Sequence, residues 1–451
     1  MSWSCGNTVQ QSAPHALLGL WQPAADRPDP IALLQEQERR RLPWLLPIRH
    51  GRMARSVFGC YRGSAAVMAY DLGTAPHSGL EVQLCGDAHL ANFGFYASPE
   101  RRLLFDLNDF DETARGPFEW DLKRLAASLV IVARELQMPP TWQEKAASRC
   151  ARTYRKAMRA LAVTPWLDVW HRQFASDTTI AAIKHTPLRR HLQAMAEQAR
   201  KRDHAQAFRK HCERNADGDL QIRHAPPLIW RHRELPPAWT GDLPSWQWVT
   251  QTIDTYISHL EPEVQGLMRP FRLVDTALKA VGVGSVGTRS AIGLFLGPRE
   301  DDILMLQSKQ AEPSVLEPYT AGRTLEHHGQ RVVHGQRLLQ SACDRLLHWS
   351  STPAGDSVYI RQLRDWKGAV ELESLDPEGL VAYGRICAAA LAKAHARSGD
   401  RLALASYIGE GRSFETAMLS YALAYADQAI ADYQALLQAI ASGRLDSTDV
   451  A

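Results

Sequence analysis

The chain has 451 residues, with 52 Lys and Arg against 49 Asp and Glu, so its formal charge is only +3 with histidine neutral. That near balance excludes a protein led by phosphate neutralisation along a polyanion, and 45% hydrophobic residues exclude wholesale disorder. Seven scattered cysteines, none spaced C-x-x-C, point to neither a disulfide framework nor a zinc site. The first 35 residues, rich in Pro, Gln and Ala, read as a loosely ordered lead-in with no secretory pattern. Arginines crowd the next segment (Arg39, Arg40, Arg41, Arg49, Arg52, Arg55), which reads as a solvated helix face and turn rather than a phosphate surface. Alternation predicts strands over 81–84 and 103–110, paired as a hairpin around C-G-D-A-H-L-A-N-F-G. Helical spacing follows over 120–136, 141–161 and 187–201. Residues 202–243 mix charges, Asp217-Gly218, Pro226-Pro227 and Pro236-Pro237, and read as an inserted loop.

From residue 272 the texture turns to strands over 290–296, 303–308 and 357–363, with a helix over 329–347. The last eighty residues are helical. Asp376-Pro377-Glu378 supplies an N-cap, a first-turn proline and an acidic residue, Gly399 a C-cap, and a final helix runs over 414–440. The longest apolar run, 125–133, is too short to span a bilayer. The expectation is a cytoplasmic protein with no membrane segment and no strong nucleic-acid signal.

Functional residue types concentrate between Cys85 and Asp121. Asp87 is followed five positions later by Asn92; Asp106, Asp109 and Asp111 close the next strand; Asp121 opens the following helix. In phosphoryl-transfer sites of the protein-kinase type, an Asp orients the attacking hydroxyl, an Asn five residues on holds Mg²⁺, and an Asp on a neighbouring strand holds Mg²⁺ as well. Asn92, Asp109 and Asp111 are therefore the candidate metal ligands and Asp87 the candidate base, with Asp106 a rival carboxylate and His89 a loop-ordering residue. Gly282-Val283-Gly284-Ser285-Val286-Gly287 has G-x-G-x-x-G spacing, which lets backbone N–H groups approach phosphate oxygens. A strand follows it, whereas a dinucleotide loop opens a helix. Lys309, at the end of the second strand, falls where a phosphate-pairing lysine is expected, with Glu317 or Glu326 as its partner.

C-G-D-A-H-L-A-N resembles the H-G-D-x-H-x-x-N loop of aminoglycoside and choline phosphotransferases, with Cys85 where that branch of the kinase superfamily has His. Asp109-Phe110-Asp111 is similar to that branch's I-D-F-[DE] metal-binding strand, and E-W-D-L-K-R-L, carrying Asp121, to its Y-D-L-A-x-L helix. Here, however, the glycine loop and lysine follow the Asp/Asn loop, whereas in a kinase they precede it. Either the glycine loop is unrelated or the fold is circularly permuted, and the compact strand, loop, strand, lysine, helix, strand unit favours permutation. More widely, Y-R-G, F-D-L-N-D-F-D-E, W-D-L-K-R-L-A-A-S, G-V-G-S-V-G-T-R, R-Q-L-R-D-W-K and A-H-A-R-S-G-D resemble the bacterial domain of unknown function 2252 family, from Arg49 to Tyr433. That resemblance places Arg62, Arg361, Arg364, Lys367, His395 and Arg397 in motif blocks, as anion-lining residues or as buried ion pairs.

The resulting expectation is an α+β, protein-kinase-like, two-lobe fold, circularly permuted. Its parts are a lead-in (1–35), a helical catalytic-type lobe (36–265), a β-rich nucleotide-binding-type lobe (266–370) and C-terminal helices returning to the catalytic lobe (371–451). Its function is expected to be ATP-using, Mg²⁺-dependent phosphoryl transfer to an unknown small-molecule or protein acceptor. The nucleotide would lie on Gly282, Gly284, Ser285, Gly287 and Lys309, with Arg62 and Asp121 in support. Two alternatives stand beside it: a pseudokinase-like nucleotide binder without turnover, and a binuclear metallophosphoesterase built on Gly86-Asp87-Ala88-His89.

Overall fold

A computed structural model describes residues 9–10, 13–201, 204–236, 246–280, 282, 284, 286–320, 325–363 and 368–449. The main helices before the first strand are α1 (Pro30–Glu38), α2 (Leu46–Ala54), α3 (Val57–Gly63) and α4 (Ala65–Thr74). Four short strands follow: β1 (Glu81–Leu84), β2 (Phe93–Ala97), β3 (Leu103–Leu107) and β4 (Ala114–Pro117). Then come α5 (Glu119–Glu135), α6 (Pro140–Ala162) and α7 (Thr186–Lys201), strands β5 (Cys212–Arg214), β6 (Leu220–Ile222) and β7 (Ile229–Arg231), and α8 (Trp246–His259). The β-rich part holds β8 (Arg272–Lys279), β9 (Ser290–Leu296), β10 (Ile303–Gln310), α9 (His328–Leu339), β11 (His348–Ser351), β12 (Ser357–Gln362) and β13 (Gly368–Ala369). The chain closes with α10 (Pro377–Ser398), α11 (Arg401–Ile408) and α12 (Ser413–Ala441).

The fold is mixed α+β, and α5 is its centre. Residues from Glu119 to Ala133 are buried on every side, which requires partners all round. Helices α6, α10 and α12 supply them. Gly384 of α10 sits so close to Leu129 of α5 that an added Cβ would lie 2.8 Å from its side chain. The predicted start of α10 is present: Asp376 accepts the Gly379 N–H at 2.7 Å, and proline occupies the first turn. His15 and Arg27, in the segment before residue 36, are fastened to this body. His15 hydrogen-bonds Ser413 and the Tyr407 carbonyl, and Arg27 bridges Asp71 and Asp432 at 2.7 and 2.8 Å.

Two small antiparallel units carry the Asp/Asn region. β1 pairs with β4, and β2 pairs with β3, with β13 on the outer side of β2. This corrects the expected hairpin between 81–84 and 103–110. The true hairpin partner, Phe93–Ala97, is buried on both faces, so its F-G-F-Y-A run lacks the alternation that marks a half-exposed strand.

Among the described residues the largest sheet has the order β11-β12-β10-β9-β8-β7, antiparallel throughout. Lys309 and Tyr359 are direct cross-strand partners. With the side-chain period of two, Leu306 and Ile360 turn to the opposite face, where they share a core with Tyr256 of α8. Helix α9 ends at Leu339 rather than 347, because the following residues turn into β11. The supposed inserted loop over 202–243 holds a helix from His204 to His211, the β5–β6 hairpin about Asp217-Gly218, and β7 at the edge of the large sheet; residues 237–243 lie outside the described residues. No helix among the described residues is long and apolar enough to cross a membrane.

Candidate functional site

The loop that carries Asp87 is anchored from below by Asp121, in the first turn of α5. Its carboxylate accepts the N–H of Cys85 at 2.8 Å and of Gly86 at 3.1 Å, and His395, itself hydrogen-bonded to Tyr154 at 2.8 Å, lies 3.2 Å from it. Gly86 has φ +87°, and a Cβ there would stand 1.9 Å from the Glu112 carbonyl, so only glycine fits this close crossing. Beyond it, Asp87 accepts Arg124 Nε at 2.7 Å. Arg124 also donates to the Tyr61 carbonyl and lies 4.0 Å over the Tyr61 ring. Burial pushes the Asp87 carboxyl up from its ordinary range, with Arg124 opposing. His89 is buried 3.6 Å from Asp87; burial and the cations Arg62 and Arg124 hold it well below the usual imidazole range, hence neutral.

Asn92 joins this loop to the acidic one. Its Nδ2 donates to the carbonyls of Asp87 (2.9 Å) and Asp109 (3.0 Å), while its Oδ1 accepts the N–H of Asp109 (2.7 Å) and of Asn108 (3.2 Å). Asp87, Asn92 and Asp109 therefore form one unit, with the amide oxygen occupied. Asp109 presents a half-exposed carboxylate 4.0 Å from Lys309 Nζ. Asp111 accepts Lys309 Nζ at 2.5 Å and the Tyr359 hydroxyl at 2.6 Å. Burial pushes Asp111 up, but Lys309 and Tyr359 outweigh it and hold the carboxyl well below the usual range. Burial likewise lowers Lys309, and Asp109 and Asp111 reverse this, so the ammonium stays charged. Its partner is thus Asp111, not Glu317 or Glu326. Arg331 of α9 clamps the acidic segment from behind, donating to the carbonyls of Asp111, Thr113 and Glu312.

The glycine loop reaches the same place. An added Cβ on Gly282 would lie 3.9 Å from Arg62 Nη2, and one on Gly284 3.6 Å from the Arg62 carbonyl. Burial lowers Arg62 while the charges of Asp87 and Asp109 oppose this, and its Nε is buried without a hydrogen-bond partner among the described residues. Gly287 takes φ +93°, and its carbonyl accepts the Leu42 N–H at 2.7 Å. Arg41 donates to the Val286 carbonyl, and the fully buried Arg49 to the carbonyls of Gly284 and Gly63. Two arginines of the basic segment are thus braces for the loop rather than a solvated face. Ser285 lies outside the described residues. A cleft of about 330 Å³ has Gly284, Arg41, Asp111, Glu112 and Glu312 in its walls.

The remaining candidates stand elsewhere. Asp106 forms a fully buried ion pair with Lys393 of α10. Asp121 holds backbone, His395 lies between Asp121 and Tyr154, and Arg397 donates to the carbonyls of Leu338 and Trp170. Arg364 and Lys367 lie outside the described residues. Sequence reasoning passed over Arg124, although it follows Asp121 by three positions on one helix face; it also missed Tyr359, Arg331 and Glu112. Among the described residues no group of three or more His, Cys, Asp or Glu side chains is placed to hold a metal ion. The ligand set of a binuclear phosphoesterase is therefore not assembled there. A Mg²⁺ ion asks less of the protein, since it keeps several waters and takes one or two carboxylates beside substrate phosphates. The half-exposed Asp109 suits that role; the occupied oxygen of Asn92 does not.

These observations define the class: an α+β protein whose β-rich unit delivers a lysine and a glycine loop to an Asp/Asn/Asp cluster on a helical body. The chain belongs to the family described as "Uncharacterized protein conserved in bacteria (DUF2252)", whose profile matches residues 41–439. No curated protein and no solved structure matches it.

Proposed function

We propose that the protein is a Mg²⁺-dependent phosphotransferase that uses a nucleoside triphosphate, on a circularly permuted, kinase-like, two-lobe fold. The observation that carries this reading is the meeting of Lys309 with Asp109 and Asp111, across about two hundred residues of chain, beside a glycine loop set against Arg62. Catalysis of this type needs positioning and charge neutralisation more than covalent work. Asp87 accepts a hydrogen bond from the acceptor hydroxyl and orients it, with Arg124 fixing the carboxylate. Lys309 pairs with the phosphates, and Arg62 adds positive charge between Asp87 and the glycine loop. Asp109 would hold a Mg²⁺ ion, which would supply positive charge to neutralise the phosphates. Asp111 holds Lys309 in place, and Asn92 fixes the spacing of Asp87 and Asp109.

Calorimetric titration of ATP into the full chain, with and without Mg²⁺, tests this. Wild type should bind, with Mg²⁺ strengthening the affinity. Lys309→Ala should weaken it at least tenfold, about 1.4 kcal/mol, the scale of one charge-assisted contact. No affinity for any nucleotide in wild type would sink the reading.

A second reading, a nucleotide binder without turnover, is favoured by two features: the filled Asn92 oxygen and the thiol of Cys85 where the phosphotransferases have an imidazole. It predicts nucleotide-dependent stabilisation with no transfer of labelled γ-phosphate to any hydroxyl acceptor or to water. Transfer to any acceptor excludes it.

A further inference from the structure

A second polar cleft, of about 260 Å³, lies between the β2–β3 turn, the C-terminal end of α9 and β12. A chain of amides fixes one of its walls. Gln340 Nε2 donates to the Leu107 carbonyl at 2.5 Å, so Gln340 Oε1 must face the other way, where it accepts Gln336 Nε2 at 2.9 Å. Gln336 Oε1 is thereby turned away from Gln340. Gln336 is only 7% exposed, lines the cleft, and this oxygen has no hydrogen-bond partner among the described residues.

Asn108 supplies a second unmatched oxygen. Its Nδ2 packs on Gly94, where a Cβ would come within 2.8 Å, and its Oδ1 is buried without a partner among the described residues. Two buried acceptors left unmatched are costly, on the order of 1–3 kcal/mol each, unless something in the cleft donates to them. The cationic side of the cleft holds Arg361, which gives its Nε–H to Gln307, together with Arg345 at the exposed rim and Arg101, a non-glycine residue at φ +59° in the β2–β3 turn. The cleft's carboxylate, Asp344, is turned to backbone, accepting the N–H of Leu346 and Gln362.

We infer that this cleft is a binding site for a small hydroxylated anion, whose hydroxyls donate to Gln336 and Asn108 while its carboxylate or phosphate faces Arg361 and Arg345. The site adjoins the Asp109 segment, since Asn92 holds the Asn108 N–H and Arg361 feels the charges of Asp109 and Asp111, but its argument does not depend on the phosphotransferase reading.

The test is titration of the full chain with four matched probes: D-glycerate, glycerol 3-phosphate, propionate and glycerol. At least one of the first two should bind tenfold or more tighter than both propionate, which lacks the donors, and glycerol, which lacks the anion; tenfold is the scale of one hydrogen bond to a buried partner. Which of the two binds tells carboxylate from phosphate. In Gln336→Leu the advantage over propionate should fall below about threefold, the oxygen that rewards a hydroxyl being gone. Should that variant fail to fold, Arg345→Ala, at a side chain 63% exposed, serves instead and should weaken anion binding while leaving glycerol unchanged. Equal binding of all four probes, an unchanged preference in the variant used, or a crystal structure in glycerate and glycerol 3-phosphate with only ordered water on Gln336 and Asn108 would overturn the assignment.

Discussion

At Asp87, burial raises the carboxyl while the Arg124 guanidinium at 2.7 Å pulls it back, and the neutral His89 adds no charge of its own. Glu112, three residues beyond Asp109, has no such cation at contact distance among the described residues. Burial pushes it up to about 7; the Val315 N–H and Arg331 oppose this, and Asp111 and Asp87 add to it. Between its ordinary 4.5 and about 7 the folded state binds the extra proton, so stability must fall as pH rises through that window. Allowing for the solvent Glu112 still meets, this amounts to about 2 kcal/mol. Urea unfolding at pH 5 and pH 7 should show that fall in wild type and a shallower one in Glu112→Gln. An identical pH dependence in the two proteins would contradict the assignment. Residue types at the site were legible: Asp87, Asn92, Asp109, Asp111 and Lys309 stood out by spacing. Which carboxylate meets which cation was not, because Lys309 finds Asp111 through strand register and lobe placement, neither of which is local.

Among the elements, β3 and α10 are joined by the ion pair of Asp106 and Lys393, both essentially without solvent. Two charges so deeply buried depend on one another, and removing one strands the other. Asp106→Asn should cost on the order of 3 kcal/mol or more in chemical denaturation, and adding Lys393→Met should restore much of it. Additive losses would show that the pair is not coupled. Helices were the readable elements here: α5, α6, α7, α10 and α12 lie within about two residues of their expected bounds, since apolar spacing and the Asp376 cap are local signals. Strand pairing was less so. β2 carries no alternation, and β7 is three residues from a stretch of charges and prolines that joins the large sheet only through its pairing with β8.

Across the whole molecule, the helical body is assembled from both ends of the chain. Arg27 ties α4 to α12 through Asp71 and Asp432, and α10 and α12 pack with α5 and α6. The β-rich unit between them meets Asp109 and Asp111 through Lys309 and Arg62 through Gly284. That order of segments is the one the proposed permuted, two-lobe reading calls for. It was legible only as an arrangement of motifs, because sequence order alone does not say which segments meet. The most direct measurement is a crystal structure of the full chain with a non-hydrolysable ATP analogue and Mn²⁺ in place of Mg²⁺, read by the anomalous signal of the metal. The account predicts a metal peak at the Asp109 carboxylate, with the triphosphate between Lys309, Arg62 and Gly282–Gly287. A nucleotide bound elsewhere, or a metal away from Asp109, would contradict it.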